Sequence, residues 1–290
     1  MNIDDVFEER LEKWSLLGFD SKLDTAIDNI EEWTKNFNNK EIDILCELLK
    51  KFDYYTYSNV SEIIKELSAI SKEKFDLSEN NSIVSVIRKA DGKLGSSSEY
   101  MILHKMVSGL NKSIYYESLE AIKDEEWNNI KNIIFVDDCC GTGKTFMKFL
   151  KQQKKSFLNK RIIFIVIEIM EKAKYDIEDY AKCENLCIEI LAHEIREKAF
   201  KIDDKILSPM FIEMSKKRHI CEKYIMGYEQ TEALMAFYNN TPNNTLGLFW
   251  LQTPENIPIF PRELAGIPGW KKLSKEKERR AKQQYEAKRE

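Results

Sequence analysis

Through the first 75 residues, apolar side chains recur at helical spacing. Ile3, Val6, Phe7, Leu11, Trp14 and Leu17 form one stripe, and Gly18 ends that segment. Leu23, Ile27, Ile30, Trp33 and Phe37 form a second, which stops at 36–39. Ile42, Leu45, Leu49 and Phe52 form a third; Val60, Ile63, Ile64, Leu67 and Ile70 form a fourth. Such stripes predict amphipathic helices with one face in a core. Near residue 83 the pattern changes to short apolar runs. Ile83–Ile87 reads as a strand, and Ile133–Val136 as a buried strand of a parallel sheet. Ile162–Ile167 is dense in β-branched residues and predicts a central parallel strand; 186–191 and 233–238 are further strand candidates. Between them lie helical stretches at 99–107, at Phe146, Phe149 and Leu150 with the basic run 148–155, and over most of 194–225. Strands alternating with helices predict an α/β fold around a parallel sheet.

With 290 residues, the chain has room for one large domain or two small ones. A net charge of −4 excludes binding of nucleic acid by the whole protein's field. The exception is local. Lys271 to Glu290 is a charge run in which Lys and Arg outnumber Glu, read as an exposed helix or solvated tail, with nucleic-acid contact as the alternative. No apolar run approaches the ~20 residues of a membrane span. The acidic start, Met1 to Asp5, lacks a signal-peptide core, so no membrane is expected and the location expected is cytoplasmic. The six cysteines form no zinc pattern. Cys46 and Cys187 fall in apolar stretches and read as core thiols.

The densest chemistry lies at 133–145, IIFVDDCCGTGKT. A buried strand ends in two carboxylates, Asp137 and Asp138; a Gly-Thr-Gly turn follows; then a helix begins. Ligands of open α/β sheets bind at this edge, beside the amides that open a helix. An ATP-binding loop would use Gly143-Lys144-Thr145, but Asp138 stands where its first glycine belongs. Paired carboxylate acceptors suit a cis-diol, and bare amides with Gly and Thr suit a monophosphate. An ordinary strand-to-helix turn with capping aspartates is the plain alternative. Cys139 and Cys140 are poor nucleophiles there, because adjacent carboxylates raise a thiol pKa.

Two other loops carry candidate donors. Arg88 to Ser98 links a strand to a helix through Lys93, Gly95, Ser96 and Ser97, a cation with flexible backbone and hydroxyls. The alternative is a solvated loop with a serine cap for the helix at Glu99. After 233–238 comes Asn239-Asn240-Thr241-Pro242-Asn243-Asn244-Thr245, a rigid turn rich in donors and acceptors. Its alternative is a structural turn whose side chains bond their own backbone. Arg262 reads either as an anion partner near that turn or as a surface arginine.

The 133–145 stretch resembles the phosphoribosyl-pyrophosphate (PRPP) loop of type I phosphoribosyltransferases: Asp-Asp, two small residues, then a small-Thr-Gly-x-Thr turn. The Asn-Thr-Pro-Asn-Asn-Thr-Leu turn followed by Phe249-Trp250, and the opening Glu32 to Phe37 and Phe52 to Tyr55, resemble the phosphoribosyltransferase-like family of bacterial conflict (antiphage) systems. The resemblance covers 30–262. The chain departs from it in Gly247 and the two cysteines, none of which removes a phosphate or ribose contact. It implies an N-terminal helical region at 1–78, a type I phosphoribosyltransferase-like α/β domain at 79–265 and a charged tail at 266–290. It implies that Asp137 and Asp138 contact the ribose hydroxyls and stabilise the reacting centre. Cys140, Gly141, Thr142, Gly143, Lys144 and Thr145 would cradle the 5′-phosphate, and Lys93, Gly95, Ser96 and Ser97 the pyrophosphate. The acceptor would dock at Asn240, Thr241, Asn243, Asn244 and Thr245. A mobile loop over the substrate is implied within 108–130, and Mg2+ with the PRPP. In context it implies an effector acting on a nucleotide or nucleic acid. Its partner would be a defence-system protein, or, through retron-associated relatives, a reverse transcriptase with its RNA–DNA product. The N-terminal helices suggest an oligomer contact. A non-catalytic module that senses a ribose phosphate is the alternative function.

Overall fold

In the computed structural model, residues 2–35, 37–88, 95–200 and 206–262 are described. Three helices open the chain: α1 (Ile3–Ser15), α2 (Ser21–Thr34) and α3 (Asn39–Lys51). The starts of α2 and α3 are encoded locally. Asp20 accepts from the backbone of Lys22 and Leu23, and Asn38 with Glu41 forms a reciprocal capping box. Strand β1 (Asp53–Tyr55) and helix α4 (Tyr57–Phe75) follow.

The main sheet is then laid down with its covering helices. It comprises β2 (Ser82–Ser85), α5 (Ser97–Val107), β3 (Tyr115–Tyr116), α6 (Asp124–Asn129), β4 (Asn132–Cys140), α7 (Lys144–Gln152), α8 (Lys154–Phe157), β5 (Arg161–Met170), α9 (Glu171–Cys183) and β6 (Cys187–Arg196). All five strands are parallel, in the order β3-β2-β4-β5-β6. From Ile133 to Val136 and from Ile162 to Ile167 both central strands are fully buried, as helices on both faces require. The order reverses between β2 and β4, which opens a crevice at their C-terminal ends. Register widens it. β2 ends at Ser85 opposite Phe135, whereas β4 runs on to Cys140 alongside β5. Asp137 and Asp138 therefore project beyond the end of β2.

The last elements are α10 (Leu207–Lys217), α11 (Glu222–Ile225) and β7 (Met235–Phe237). The expected final strand does not join the main sheet. β7 pairs with β1 in a separate two-stranded parallel sheet, Tyr54 opposite Ala236. This small sheet partitions two cores through the period-2 alternation of strand side chains. Tyr55, Met235 and Phe237 face the core of the main sheet; Tyr54, Leu234 and Ala236 face a second core. That second core joins α1–α3 to α10, α11 and the segment to Phe260. Phe52 stacks between Phe249 (4.8 Å) and Phe260 (5.0 Å), and Trp33 Nε1 donates to the Leu248 carbonyl at 3.1 Å. α4 belongs to the main core through Val60, Ile64 and Leu67. In α1, Ile3, Val6, Phe7 and Trp14 are buried in the second core.

Three local expectations are corrected. The strand expected over 83–87 is Ser82–Ser85. The strand expected over 186–191 runs to Arg196, which removes 194–196 from the expected helix. It is the sheet's edge, so Cys187 is exposed and not a core thiol. The Lys271–Glu290 tail lies outside the described residues. Among the described residues no helix is long and apolar enough to cross a membrane.

Candidate active site

A cavity of about 700 Å³ occupies the crevice at the ends of β2 and β4. Its floor is Asp137 to Gly143. Gly95, Ser96, Ser97 and Glu99 at the start of α5 form one wall, and the turn from Asn239 to Asn244 forms the opposite wall.

The two carboxylates are held by their own backbone. The Asp138 N–H donates to Asp137 Oδ1 at 3.0 Å, and the Cys139 N–H to Asp138 Oδ1 at 2.7 Å. Across the crevice, Ser96 Oγ donates to Asp137 Oδ1 at 2.7 Å. Burial first, and then the adjacent Asp138 carboxylate, hold the Asp137 pKa well above the usual range. The cysteines respond in the same way. Burial, then Asp137, push the Cys140 thiol up to about 12, and burial with Asp138 raises Cys139, so neither is an activated nucleophile.

The Gly-Thr-Gly turn opens α7 without a side-chain cap. Gly143 adopts φ +69, a left-handed conformation that glycine tolerates. The leading N–H groups of an uncapped helix lack intrahelical partners, and Gly141, Thr142, Gly143 and Thr145 stand at the cavity wall. The Asn turn is pressed against this loop: a Cβ at Gly141 would run into the Asn244 side chain. Asn239 Nδ2 donates to Glu99 Oε2 at 2.8 Å, tying the turn to α5 on the far wall.

A strand-end carboxylate pair, an uncapped glycine-rich helix start and an amide-rich turn thus converge on one cavity. Residues 30–262 match the family described as PRTase-CE. The chain belongs to the PRTase-CE family. No curated protein matches it. Two of the solved structures similar to it illustrate the match. One is a hypothetical protein from Neisseria gonorrhoeae with bound ppGpp: 14% identity, TM-score 0.33, 55% of this chain and 95% of that one. The other is the Helicobacter pylori xanthine-guanine-hypoxanthine phosphoribosyltransferase: 18% identity, TM-score 0.32, 50% of this chain and 88% of that one.

In this PRTase-CE chain the central motif converges on the cavity with one exception. Lys144 is exposed, and its Nζ pairs with Glu229 Oε2 at 2.6 Å, so its side chain leaves the cavity. Among the β2 loop residues, Gly95 and Ser96 line the cavity, and Ser97 Oγ is spent on Ile87, accepting from its N–H at 3.1 Å. Lys93 lies outside the described residues. The serine cap expected for α5 is absent, because Ser96 Oγ bonds Asp137 instead. In the Asn turn, Asn240, Thr241, Asn243 and Asn244 line the cavity; Thr245 does not. Thr245 Oγ1 donates to the Met235 carbonyl (2.6 Å) and Thr241 Oγ1 to that of Phe260 (2.9 Å), so both hydroxyls are structural. Residues 108–130 contribute no lining residue. They form β3 and α6 and bury Ile114, Leu119 and Ile122 in the main core.

Asn239 lines the cavity with the rest of its turn; Glu99 and Tyr228 line it without having been read as site residues, and Arg262 is half-buried in its wall, not a surface arginine. Of Glu99, Tyr228 and Arg262, only the last had a local signal, the apolar Ile259-Phe260 before it. Among the described residues no three His, Cys, Asp or Glu side chains could together hold a metal ion.

Proposed function

We propose that the cavity binds PRPP or a related ribose phosphate and that the protein transfers its phosphoribosyl group. The observation that carries this reading is the convergence of Asp137 and Asp138 with the uncapped Gly141 to Thr145 turn. Paired acceptors suit the ribose 2- and 3-hydroxyls, and the amides of a glycine-rich helix start suit the 5′-phosphate. The same carboxylates would stabilise positive charge developing at the anomeric carbon. Mg2+ would arrive bound to the pyrophosphate and screen the leaving group's charge, with Ser96 and Glu99 of the adjacent wall as its oxygen neighbours. Family membership, together with the motifs of the Asn turn, favours a role as an effector of a bacterial antiphage system acting on a nucleotide or nucleic acid. A retron reverse transcriptase with its RNA–DNA product is the partner type this implies.

Calorimetric titration with PRPP and Mg2+, with ATP as control, tests the site. Saturable PRPP binding should weaken about 10- to 100-fold in Asp138→Asn, the loss expected when a hydrogen bond to a charged acceptor is removed. An ATP signal without a PRPP signal would sink the reading. Binding with no turnover of any acceptor would leave the sensing module.

A further inference from the structure

Arg262 is the one Lys or Arg side chain lining the cavity among the described residues, which otherwise presents Glu99, Asp137 and Asp138. It has no carboxylate within ion-pair distance among those residues, and its Nη1 is buried without a hydrogen-bond partner. A half-buried guanidinium is costly unless something compensates it. The fold holds it there nonetheless. Its N–H donates to the Trp250 carbonyl at 3.2 Å, and its guanidinium lies 5.6 Å from the Trp250 ring centre. Trp250 is itself fixed, with Nε1 donating to the Thr245 carbonyl at 2.8 Å and Tyr224 packed edge-on at 5.2 Å. The guanidinium is thus pre-positioned, with donor capacity to spare, at a site built for an anion.

The position of Arg262 indicates which anion. On the transfer reading, the 5′-phosphate would lie at Gly141 to Thr145 and the pyrophosphate at the wall of Gly95 and Ser96. Arg262 comes from the other wall: Phe260, two residues before it, accepts from Thr241 of the Asn turn. On the same reading that turn would face the acceptor. We propose that the acceptor carries an anionic oxygen group, a carboxylate or a phosphate, and that Arg262 recognises it. This deepens the phosphoribosyl-transfer reading and rests on it for the identity of the acceptor side. The guanidinium fork would meet two oxygens of one anion, with the Asn243 side chain on the same wall beside the acceptor's neutral polar edge.

Matched pairs of probes test this on the full chain with Mg2+–PRPP bound: nicotinate against nicotinamide for a carboxylate, and adenosine monophosphate against adenosine for a phosphate. Calorimetry should find at least one anionic member bound about tenfold or more tightly than its neutral partner, the size of a charge-assisted contact. The pair that shows the preference identifies the source of the anion. Arg262→Gln should abolish the preference, and Arg262→Lys should keep part of it, while PRPP affinity stays unchanged in both. Equal binding within both pairs, no binding of either anionic probe, or a preference that survives Arg262→Gln would overturn the proposal. So would a loss of PRPP affinity in Arg262→Gln matching the loss of anion affinity, which would place the arginine on the pyrophosphate. If the wild type does not bind PRPP, the transfer reading fails separately, and the same pairs measured without PRPP still decide whether Arg262 selects an anion.

Discussion

Gly141→Ala should weaken PRPP binding by about a hundredfold or more. The residue has an ordinary negative φ, so the objection to a side chain is space alone. An added Cβ would overlap all three outer atoms of the Asn244 side chain. Asn244 has little room to yield. Its Nδ2 donates to Thr231 Oγ1 at 3.3 Å, and its carbonyl accepts from the Ala233 N–H at 3.1 Å and from Thr231 Oγ1 at 2.8 Å. The glycine-rich turn would have to shift, and a displacement of ~1 Å at a positioning element costs on the order of a hundredfold. Asn244→Ala removes the obstructing atoms and leaves the backbone bonds, so the double variant should recover most of the affinity. Calorimetry, with circular dichroism to confirm the fold, reads both. Wild-type affinity in the single variant would mean that Gly141 to Thr145 is not the phosphate cradle.

Arg196→Leu should lower unfolding free energy by about 3–5 kcal/mol in urea titrations, the usual cost of stranding a buried charge. Arg196 lies at the end of β6 and bonds Glu168 of β5 through Nε (2.6 Å) and Nη2 (2.8 Å). The same Nη2 reaches Asp53 of β1 at 2.6 Å, and Nη1 reaches the Lys51 carbonyl at 2.9 Å. Glu168 is wholly buried, and Tyr55 Oη is its other partner at 2.7 Å. Asp53 would keep Arg10 and Lys13, so Glu168 is the group left stranded. Arg196→Leu combined with Glu168→Leu should therefore recover much of the loss.

The two acids on Arg196 shift in opposite directions. Burial drives Glu168 up to about 6, although Arg196 and Tyr55 both favour its anion. Burial alone would also raise Asp53, but Arg196, Lys13 and Arg10 together bring it below its usual value. The signs follow from proton linkage. The contribution of Glu168 is full below its unfolded pKa of about 4.3 and is lost as pH rises through about 6. That of Asp53 is present above its unfolded value and lost as pH falls through its lowered one. Glu168→Gln should flatten the decline between about pH 4.5 and 6 and leave the acid limb due to Asp53; an unchanged profile across that window would count against this assignment.

What the sequence determined by itself is what contiguous residues build. The stripes of α1–α4, the apolar runs of β4 and β5, and the whole Asp137 to Thr145 unit were legible, because a strand end, a turn and a helix start are made of neighbours. Their spacing alone sets which faces are buried and where amides are left bare. Only tertiary structure decided the rest. β7 carries a strand pattern, but nothing in that pattern says that it pairs with β1 and not with the main sheet. Lys144 sits inside the motif, yet its side chain leaves the cavity because Glu229 is close enough to pair with it. Glu99, Tyr228, Asn239 and Arg262 enter the site from segments far apart in the chain, and the Arg196–Glu168–Asp53 group joins three strands. Such contacts depend on register and on the closure of long loops, and those are fixed when the two cores pack against each other, not by the spacing of residues within any one element.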